Sequence, residues 1–371
     1  MAIVISRVLG GVVVITVSLL IESAAGQQPT TAPDRVTVRN AAKKDGSTVT
    51  VEGKLKLSPV GLQVLSGEKL DKATTISFAD IVKFEPGDMP GINREDMLSQ
   101  LKLESNRTRK DYETAKGVYV NLLKKATGAP EPTKRHLEYR AALMTTKIAD
   151  VSADDEKWAE LAEIAAKEWT GFLTGYKSGW EIWPAARAQA RLFVEQNKFE
   201  EAAKLWGRMA RNPDLPPDLK LEAAIEEIDA QFRAKAYSTA ASLAVELAKT
   251  TSPGAAQDKL AIYERAAKAA ESGLKEDSLQ VVVDDIKKRI SASKDPSVRA
   301  VGFSVAGELY LLASRPRDAM WEFLTVETVY NTDRYEVLKA MCRLVQSFQA
   351  QMDEERPKQY REKIRLYRAS L

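Results

Sequence analysis

The side chains that most often carry catalysis or bind metals are scarce in this sequence. Among 371 residues there is one histidine, His136, and one cysteine, Cys342. An HExxH metal site needs two imidazoles, a zinc finger needs several thiol or imidazole ligands, and an internal disulfide needs two thiols. The counts therefore exclude these three kinds of site. We expect His136 to cap or line a helix and Cys342 to be buried in an apolar helix.

Carboxylates are plentiful, but they are not arranged as a catalytic pair or a calcium loop. They cluster at Asp154–Glu156, Asp284–Asp285 and Asp353–Glu355, without the alternating oxygen ligands and central glycine of a calcium loop. Carboxylates are stabilised by the free N–H groups at helix N-termini, so these runs indicate helix starts. No Walker loop, GxGxxG or GxSxG motif is present. The sequence predicts a protein that is not an enzyme and has neither a metal site nor a cofactor.

Aromatic side chains concentrate in one stretch of the chain and admit two interpretations. An exposed set would form a platform for a peptide or a sugar, because Trp and Tyr dominate recognition energetics. A buried set would fill a wide gap between helices at a corner of the fold, which is the interpretation that we favour. For the exposed alternative, the candidate partner-binding residues are Tyr176, Trp180 and Trp183. The whole set is Trp158, Trp169, Phe172, Tyr176, Trp180 and Trp183.

The first 26 residues have the pattern of a secretory signal peptide. Arg7 precedes an apolar run from Val8 to Ile21, and small residues follow at 23–26. The run is shorter than the roughly 20 residues of a membrane-spanning helix, so a cleaved signal is favoured over a retained anchor. We therefore expect an exported protein, periplasmic or secreted, or membrane-anchored if the segment is kept.

The overall charge narrows the class of partner. The chain has 55 Lys and Arg against 52 Asp and Glu, a formal net charge of +3. This charge is too small for the length to indicate nucleic-acid binding. We expect a protein or peptide partner, no nucleic acid, no small-molecule cofactor, and membrane contact only through an uncleaved N-terminal segment.

After a Pro- and Thr-rich linker, residues 27–33, the sequence predicts a small β domain over residues 34–90. β-branched residues alternate with polar ones at 36–38, 48–51 and 74–78, and Asp45-Gly46 and Ser66-Gly67 are turn signals. A bulge or bend is expected at Gly53. The pattern predicts four to five short strands in a compact, strongly bent sheet or small barrel.

The final segment of this β unit, Ile76-Ser-Phe-Ala-Asp-Ile-Val-Lys-Phe84, follows Asp45-Gly46-Ser47 and Gly61-Leu-Gln-Val64. Together they resemble the small SH3-like or Sm-like barrels, in which a strand of this type ends the sheet. The resemblance implies a docking or structural module and carries no catalytic signature.

Residues 91–371 are Ala-rich and have helical periodicity, as at Leu221, Ala224, Ile225, Ile228 and Phe232. We predict about a dozen helices joined by short turns. Corresponding positions in every second helix lie 44, 43, 38, 39 and 40 residues apart, and a period near 40 is typical of an α-solenoid of helix pairs. These positions are Ala115, Ala159, Ala202, Ala240, Leu279 and Ala319.

Two copies of this repeat resemble the tetratricopeptide repeat (TPR) family. The first has Phe303, Ala306, Gly307, Tyr310, Ala319 and Phe323 at the family's small and large positions, and the second has Ala186, Ala190, Phe193, Ala202 and Trp206. Residues 172–202 are similar to the repeat boundary of bacterial envelope TPR proteins. The period is longer than the family's ~34 residues, which leaves the repeat class open. The resemblance implies a mainly α protein, a TPR-like α-solenoid of helix pairs preceded by the small all-β domain.

Two functional hypotheses follow. The favoured one is an exported, non-enzymatic scaffold that binds a protein or peptide of the cell envelope on the concave face of the array. The alternative is a cell-wall or carbohydrate-associated module that uses the Trp158–Trp183 aromatic cluster. The basic tail from Arg356 to Arg368 either meets an acidic partner or forms the solvated helix that caps the solenoid.

Overall fold

The computed structural model describes residues 32–39, 47–58, 61–67, 71–76, 81–85, 87–152 and 154–370. In this part of the chain five strands are followed by fourteen helices. The predicted signal segment, residues 1–26, and most of the predicted linker lie outside the described residues. Among the helices that are described, none contains an apolar stretch of membrane-spanning length.

The strands form one antiparallel sheet in the order β4-β3-β2-β1-β5. Its core contains Val36, Val64 and Ile76. The identification as an SH3-like or Sm-like barrel stays a prediction. The strands are β1 (Asp34–Arg39), β2 (Thr48–Ser58), β3 (Gly61–Ser66), β4 (Lys72–Ile76) and β5 (Ile81–Glu85).

Gly53, where we predicted a bulge or bend, lies at the point where β2 changes partners. Gly53 is the last residue of β2 to pair with β1, and Lys54 is the first to pair with β3. A Cβ atom at Gly53 would lie 2.7 Å from the Val64 Cγ1 atom, well inside van der Waals contact. A glycine is therefore required here, because any side chain would separate β2 from β3.

The helices form consecutive pairs in which the second members begin at residues 109, 155, 199, 237, 276, 316 and 356. This spacing confirms the TPR-like α-solenoid preceded by a small β domain. The helices are α1 (Arg94–Ser105), α2 (Arg109–Lys125), α3 (Glu131–Asp150), α4 (Asp155–Gly175), α5 (Ile182–Glu195), α6 (Phe199–Ala210), α7 (Pro217–Arg233), α8 (Tyr237–Thr250), α9 (Ala255–Glu271), α10 (Glu276–Ala292), α11 (Pro296–Leu312), α12 (Pro316–Thr328), α13 (Arg334–Ala350) and α14 (Arg356–Ser370).

Two of the three acidic runs lie at helix starts, as predicted. Asp154 accepts a hydrogen bond from the Lys157 N–H at 2.6 Å, and Asp353 accepts from the Arg356 N–H at 2.8 Å. The prediction was wrong for Asp284 and Asp285, which lie inside α10. The reason is that α10 begins a full two turns earlier, at a Lys275 cap whose N–H is bound by the Ser278 hydroxyl.

The small residues of the TPR-like pattern allow close helix pairing. A Cβ atom at Gly307 of α11 would lie 2.7 Å from the Phe323 ring of α12, and both residues are buried. In the second copy, Ala190 of α5 and Ala202 of α6 are also buried. The two helices of a pair therefore approach until a ring of one lies on the backbone of the other.

The array curves until its last pair contacts helices near its start. The Arg187 guanidinium of α5 lies 4.5 Å from the ring centre of Tyr335 in α13. Arg368 of α14 lies 3.7 Å over the Trp158 ring of α4. We call this contact between α13–α14 and α3–α6 the seam. The predicted solvated terminal helix is therefore packed along one side, with Ile364 and Arg368 buried.

Candidate binding site at the seam

The inner surface of the array carries a connected set of buried and half-buried charges, which we call the inner network. At its centre the Lys339 ammonium donates to Glu336 at 2.7 Å, and to Asp229 and Glu226 at 3.0 Å each. All of these groups lie on α7, α11 and α13, the first members of their pairs. The network consists of Glu226, Asp229, Arg233, Glu308, Glu336, Lys339 and Arg343.

Each charged side chain of the inner network forms an ion pair with a side chain of opposite charge. Asp229 accepts from Arg233 at 2.9 Å and from the Tyr263 hydroxyl at 3.0 Å, while Glu308 accepts from Arg343 at 2.6 Å. Burial by itself would raise the pKa of Asp229, but Arg233 and Lys339 outweigh it and hold that pKa below its usual value. A partner that displaced one of these groups would leave its counter-ion buried and unpaired. This part of the predicted concave face is therefore occupied by the chain's own ion pairs.

Next to the inner network, Arg191 of α5 holds Asp150 of α3. The Nη2 atom of Arg191 donates to both Asp150 oxygens, at 2.8 and 3.0 Å. A small cavity of about 50 Å³ beside Arg187, Arg191 and Lys339 is large enough for one or two water molecules. This volume lies well below the usual size range of small-molecule sites.

A much larger pocket, of about 490 Å³, opens at the seam between α4, the α5–α6 turn, α13 and α14. We call it the seam pocket. Its apolar wall consists of Trp158, Val345 and Ile364, all of them buried. Four amide side chains also line the pocket: Gln196, Asn197, Gln346 and Gln349.

Charged side chains at the seam pocket are already paired. Arg368 donates to the Glu195 Oε2 atom at 2.5 Å, and this pair is buried between α14 and α5. At the mouth, Arg361 lies 3.6 Å from Asp155, and Lys198 donates to Glu163. The Gln346 amide donates to Asn197 at 3.2 Å and ties α13 to the α5–α6 turn. The seam pocket therefore exists only because α13 and α14 pack against α4, α5 and the α5–α6 turn.

Cys342 also lines the seam pocket. Its side chain is half-buried rather than fully enclosed. Burial raises the pKa of the thiol to about 12. The side chain is therefore a neutral thiol at physiological pH, without the reactivity of a thiolate.

The aromatic cluster lies mainly in the hydrophobic core. Trp169 and Phe172 are buried with Trp158, and Trp183 is 1% exposed and packs on Trp206 at 5.6 Å between ring centres. Packing between helices therefore accounts for these four rings, as we favoured from the sequence.

The three candidate partner-binding residues do not form one surface. Trp183 has no accessible ring face, while Tyr176 and Trp180 are half-buried. The Trp180 ring lies 4.5 Å from Phe84 of β5, so the β domain covers part of it. A sugar platform needs open ring faces, which leaves Tyr176 and Trp180 as its two remaining members. Their role in partner binding stays a prediction.

His136 lies in α3, beneath the contact between Phe84 and Trp180. Its ring is 5.7 Å from Phe84 and 5.8 Å from Trp180, and its Nδ1 atom is 3.5 Å from a Glu181 oxygen. Burial lowers the pKa of His136, and Glu181 opposes this only in part. His136 therefore lies inside the fold as a neutral ring. No group of three or more His, Cys, Asp or Glu within the described residues could hold a metal ion.

Reasoning from the sequence missed Glu195, Gln196 and Arg368, which meet only because the array curves back. One signal was present: the basic tail carries the apolar residue Ile364 four positions before Arg368. That spacing puts both on one helix face and indicates a buried side. It does not indicate which helices that side contacts.

Comparison with known proteins gives a structural likeness but no sequence match. Neither a scan against protein-family models nor a search of curated proteins finds a match. Among solved structures, the chain is similar to a tetratricopeptide repeat protein from Parabacteroides merdae ATCC 43184. The identity is 13% and the TM-score 0.44, over 74% of this chain and 92% of that one. A likeness of this degree carries no argument about function, so the assignment as a TPR-like array rests on the helix pairs.

Proposed function

We propose that this chain is an exported, non-enzymatic scaffold that binds a protein or peptide of the cell envelope. The observation that carries the proposal is the seam pocket, a preformed cavity of about 490 Å³ in a TPR-like array. A rigid array holds the groups that surround a cavity in fixed positions, so binding costs little conformational entropy.

The proposed contact surface follows from the charges of the inner surface. The inner network is paired within the chain, so a partner gains little by entering it. The seam pocket is open and has both an apolar wall and amide side chains. We therefore propose that the partner binds the concave side at the seam rather than along the whole array.

The proposal of export rests on residues 1–26. On this proposal the mature chain begins near Gln27 and is periplasmic or secreted, whereas an uncleaved segment would anchor it. Mass spectrometry of the protein purified from its own host measures the N-terminus. A chain that begins at Met1 and stays in the cytoplasmic fraction would contradict export.

The β domain is proposed to orient the array on the envelope, as an SH3-like or Sm-like docking module. Its support is the contact of Phe84 with Trp180 and His136, which fixes the sheet to α3 and the start of α5.

A site-specific photo-crosslinker tests partner binding in living cells. At Gln349, an exposed position on the rim of the seam pocket, it should give a discrete adduct with one partner. At Gln280, an exposed position on α10, the same crosslinker is the matched control and should give none. Equal labelling from both positions, or no adduct from Gln349, would count against the proposal.

A further inference from the structure

Three buried polar atoms beside the seam pocket have no hydrogen-bond partner among the described residues. They are the Trp158 Nε1, Glu195 Oε1 and Gln196 Nε2 atoms. Trp158 is 6% exposed and the Glu195 side chain is 2% exposed, so bulk water does not solvate them freely. Buried polar groups in folded proteins are almost always hydrogen-bonded, and such a concentration points to a ligand that supplies the partners.

The chemistry of the three atoms defines what would satisfy them. An indole N–H and an amide NH₂ are donors, and an ionised carboxylate only accepts. The other Glu195 oxygen is bound by Arg368, and the nearest cation to Oε1, the Arg191 Nε atom, is 3.7 Å away. These three unsatisfied atoms therefore comprise two donors and one acceptor. A group with a carbonyl oxygen and an N–H is its complement, and an amide has both.

The surrounding charges favour a neutral ligand. Arg368, Arg361 and Lys198 are each paired with a carboxylate, so no cation at the pocket is left for an anionic ligand. The apolar wall of Trp158, Val345 and Ile364 adds a surface for an aliphatic side chain. A cavity of about 490 Å³ lies within the usual size range of small-ligand sites.

We propose that the seam pocket binds a neutral amide group that carries an aliphatic side chain. The amide carbonyl accepts from Trp158 and Gln196, and the amide N–H donates to Glu195. The amide belongs either to a small molecule or to a peptide segment of a partner, and in the second case the inference rests on the proposed function.

Titration calorimetry of the mature chain with simple probes tests the chemistry. N-acetyl-L-leucinamide should bind with a dissociation constant in the range of about 1–10 mM, as expected for a ligand of this size. N-acetyl-L-leucine has a carboxylate in place of the terminal amide and should bind about tenfold more weakly, because no cation is free to pair with it. The tripeptide acetyl-Ala-Leu-Ala-amide separates the two sources: tighter binding than the leucinamide assigns the site to a peptide segment, and weaker binding to a small molecule.

Two conservative variants test the assigned atoms. Trp158→Phe removes the indole N–H but keeps a ring beneath Arg368, and Gln196→Met removes the amide with little change in shape. Each should weaken N-acetyl-L-leucinamide binding by about three- to tenfold, the usual effect of one hydrogen bond. The matched controls Trp321→Phe and Gln280→Met, both at exposed positions away from the pocket, should leave it unchanged.

Thermal unfolding of each variant shows whether the array is intact. Variants that unfold early are replaced by Gln196→Glu, which also removes the donor and adds a negative charge at the site. The absence of saturable binding by all three probes would overturn the inference, as would full affinity in both pocket variants. If binding fails while Gln349 still crosslinks a partner, the ligand chemistry is wrong but the scaffold function stands.

Discussion

At the scale of single residues, buried titratable groups make the stability of the fold depend on pH. His136 is enclosed by Phe84, Trp180 and Tyr139, and burial lowers its pKa. A lowered pKa in the folded state means that the unfolded state binds the proton more tightly. The stability contributed by neutral His136 is therefore present above its unfolded pKa of about 6.5 and is lost as the pH falls.

We expect wild type to lose stability relative to His136→Phe between pH 7.5 and about 5.5, by at most about 1.4 kcal/mol per pH unit. Urea unfolding at each pH measures the difference. The comparison with the variant is needed because burial raises the pKa of Glu226 to about 7. This shift makes the stability of the protein fall as the pH rises over the same range, which is opposite to the effect of His136. As the only histidine, His136 also gives one imidazole signal by NMR. If the free energies of unfolding of wild type and His136→Phe change in parallel with pH, the pKa of His136 is the same in the folded and unfolded states.

The Cys342 thiol gives a second test. With a pKa of about 12 it should react with iodoacetamide at pH 8 at least about 100-fold more slowly in the folded chain than in guanidinium chloride. Mass spectrometry of timed samples measures both rates. Similar rates would mean that the seam pocket leaves the thiolate form accessible.

At the scale of elements, close helix pairing depends on small residues at defined positions. In α11–α12 the Phe323 ring lies 2.7 Å from the position that a Cβ atom at Gly307 would take. The same close approach occurs in the β domain, where Gly53 lets β2 change partners. Such positions tolerate added volume poorly, because close-packed interiors relax only in part.

Gly307→Ala should therefore destabilise the protein by about 1–3 kcal/mol in urea unfolding. Gly117→Ala is the matched control: Gly117 is exposed in α2, no described atom lies within 4 Å of its added Cβ, and the change should stabilise by up to about 1 kcal/mol. Adding Phe323→Leu to Gly307→Ala should recover part of the loss. If both alanine variants gain stability, the pairing is looser than the distances indicate.

At the scale of the whole molecule, the seam turns a linear array into one that curves back on itself. It depends on a few contacts, of which the buried pair Arg368–Glu195 joins the last helix to α5. Ion pairs of this kind stabilise little compared with apolar packing, but breaking one leaves a buried charge.

Arg368→Met should reduce the free energy of unfolding by about 3–5 kcal/mol, since it leaves the Glu195 carboxylate buried and unpaired. The double variant with Glu195→Gln should recover more than half of that loss. Arg365→Met, on the same helix, removes an exposed pair with Glu362 and should cost less than about 0.5 kcal/mol. Small-angle scattering should show an increased radius of gyration for Arg368→Met alone; equal effects of the two single variants would exclude a special role for the seam.

The sequence by itself determined the elements and their grouping into pairs. In α7 the periodic positions Ile228 and Phe232 are buried and Leu221 and Ile225 are half-buried, so the periodicity reports the packed face of the helix. The sequence also marked Gly53, the residue at which β2 changes partners. The close pairing at Gly307 was also predictable, because both partners lie within one repeat. These features involve residues near one another in the chain.

Only the tertiary structure decided which helices the last pair of the array contacts. The curvature of a solenoid is the sum of small rotations between neighbouring pairs, and no single residue specifies it. Whether Arg368 meets Glu195, 173 positions earlier, depends on all the pairs between them. For the same reason the aromatic cluster could be located in the sequence but not divided into its buried and half-exposed members. The seam pocket and the unsatisfied atoms beside it form only when the accumulated rotation brings the last helix pair against α4–α6.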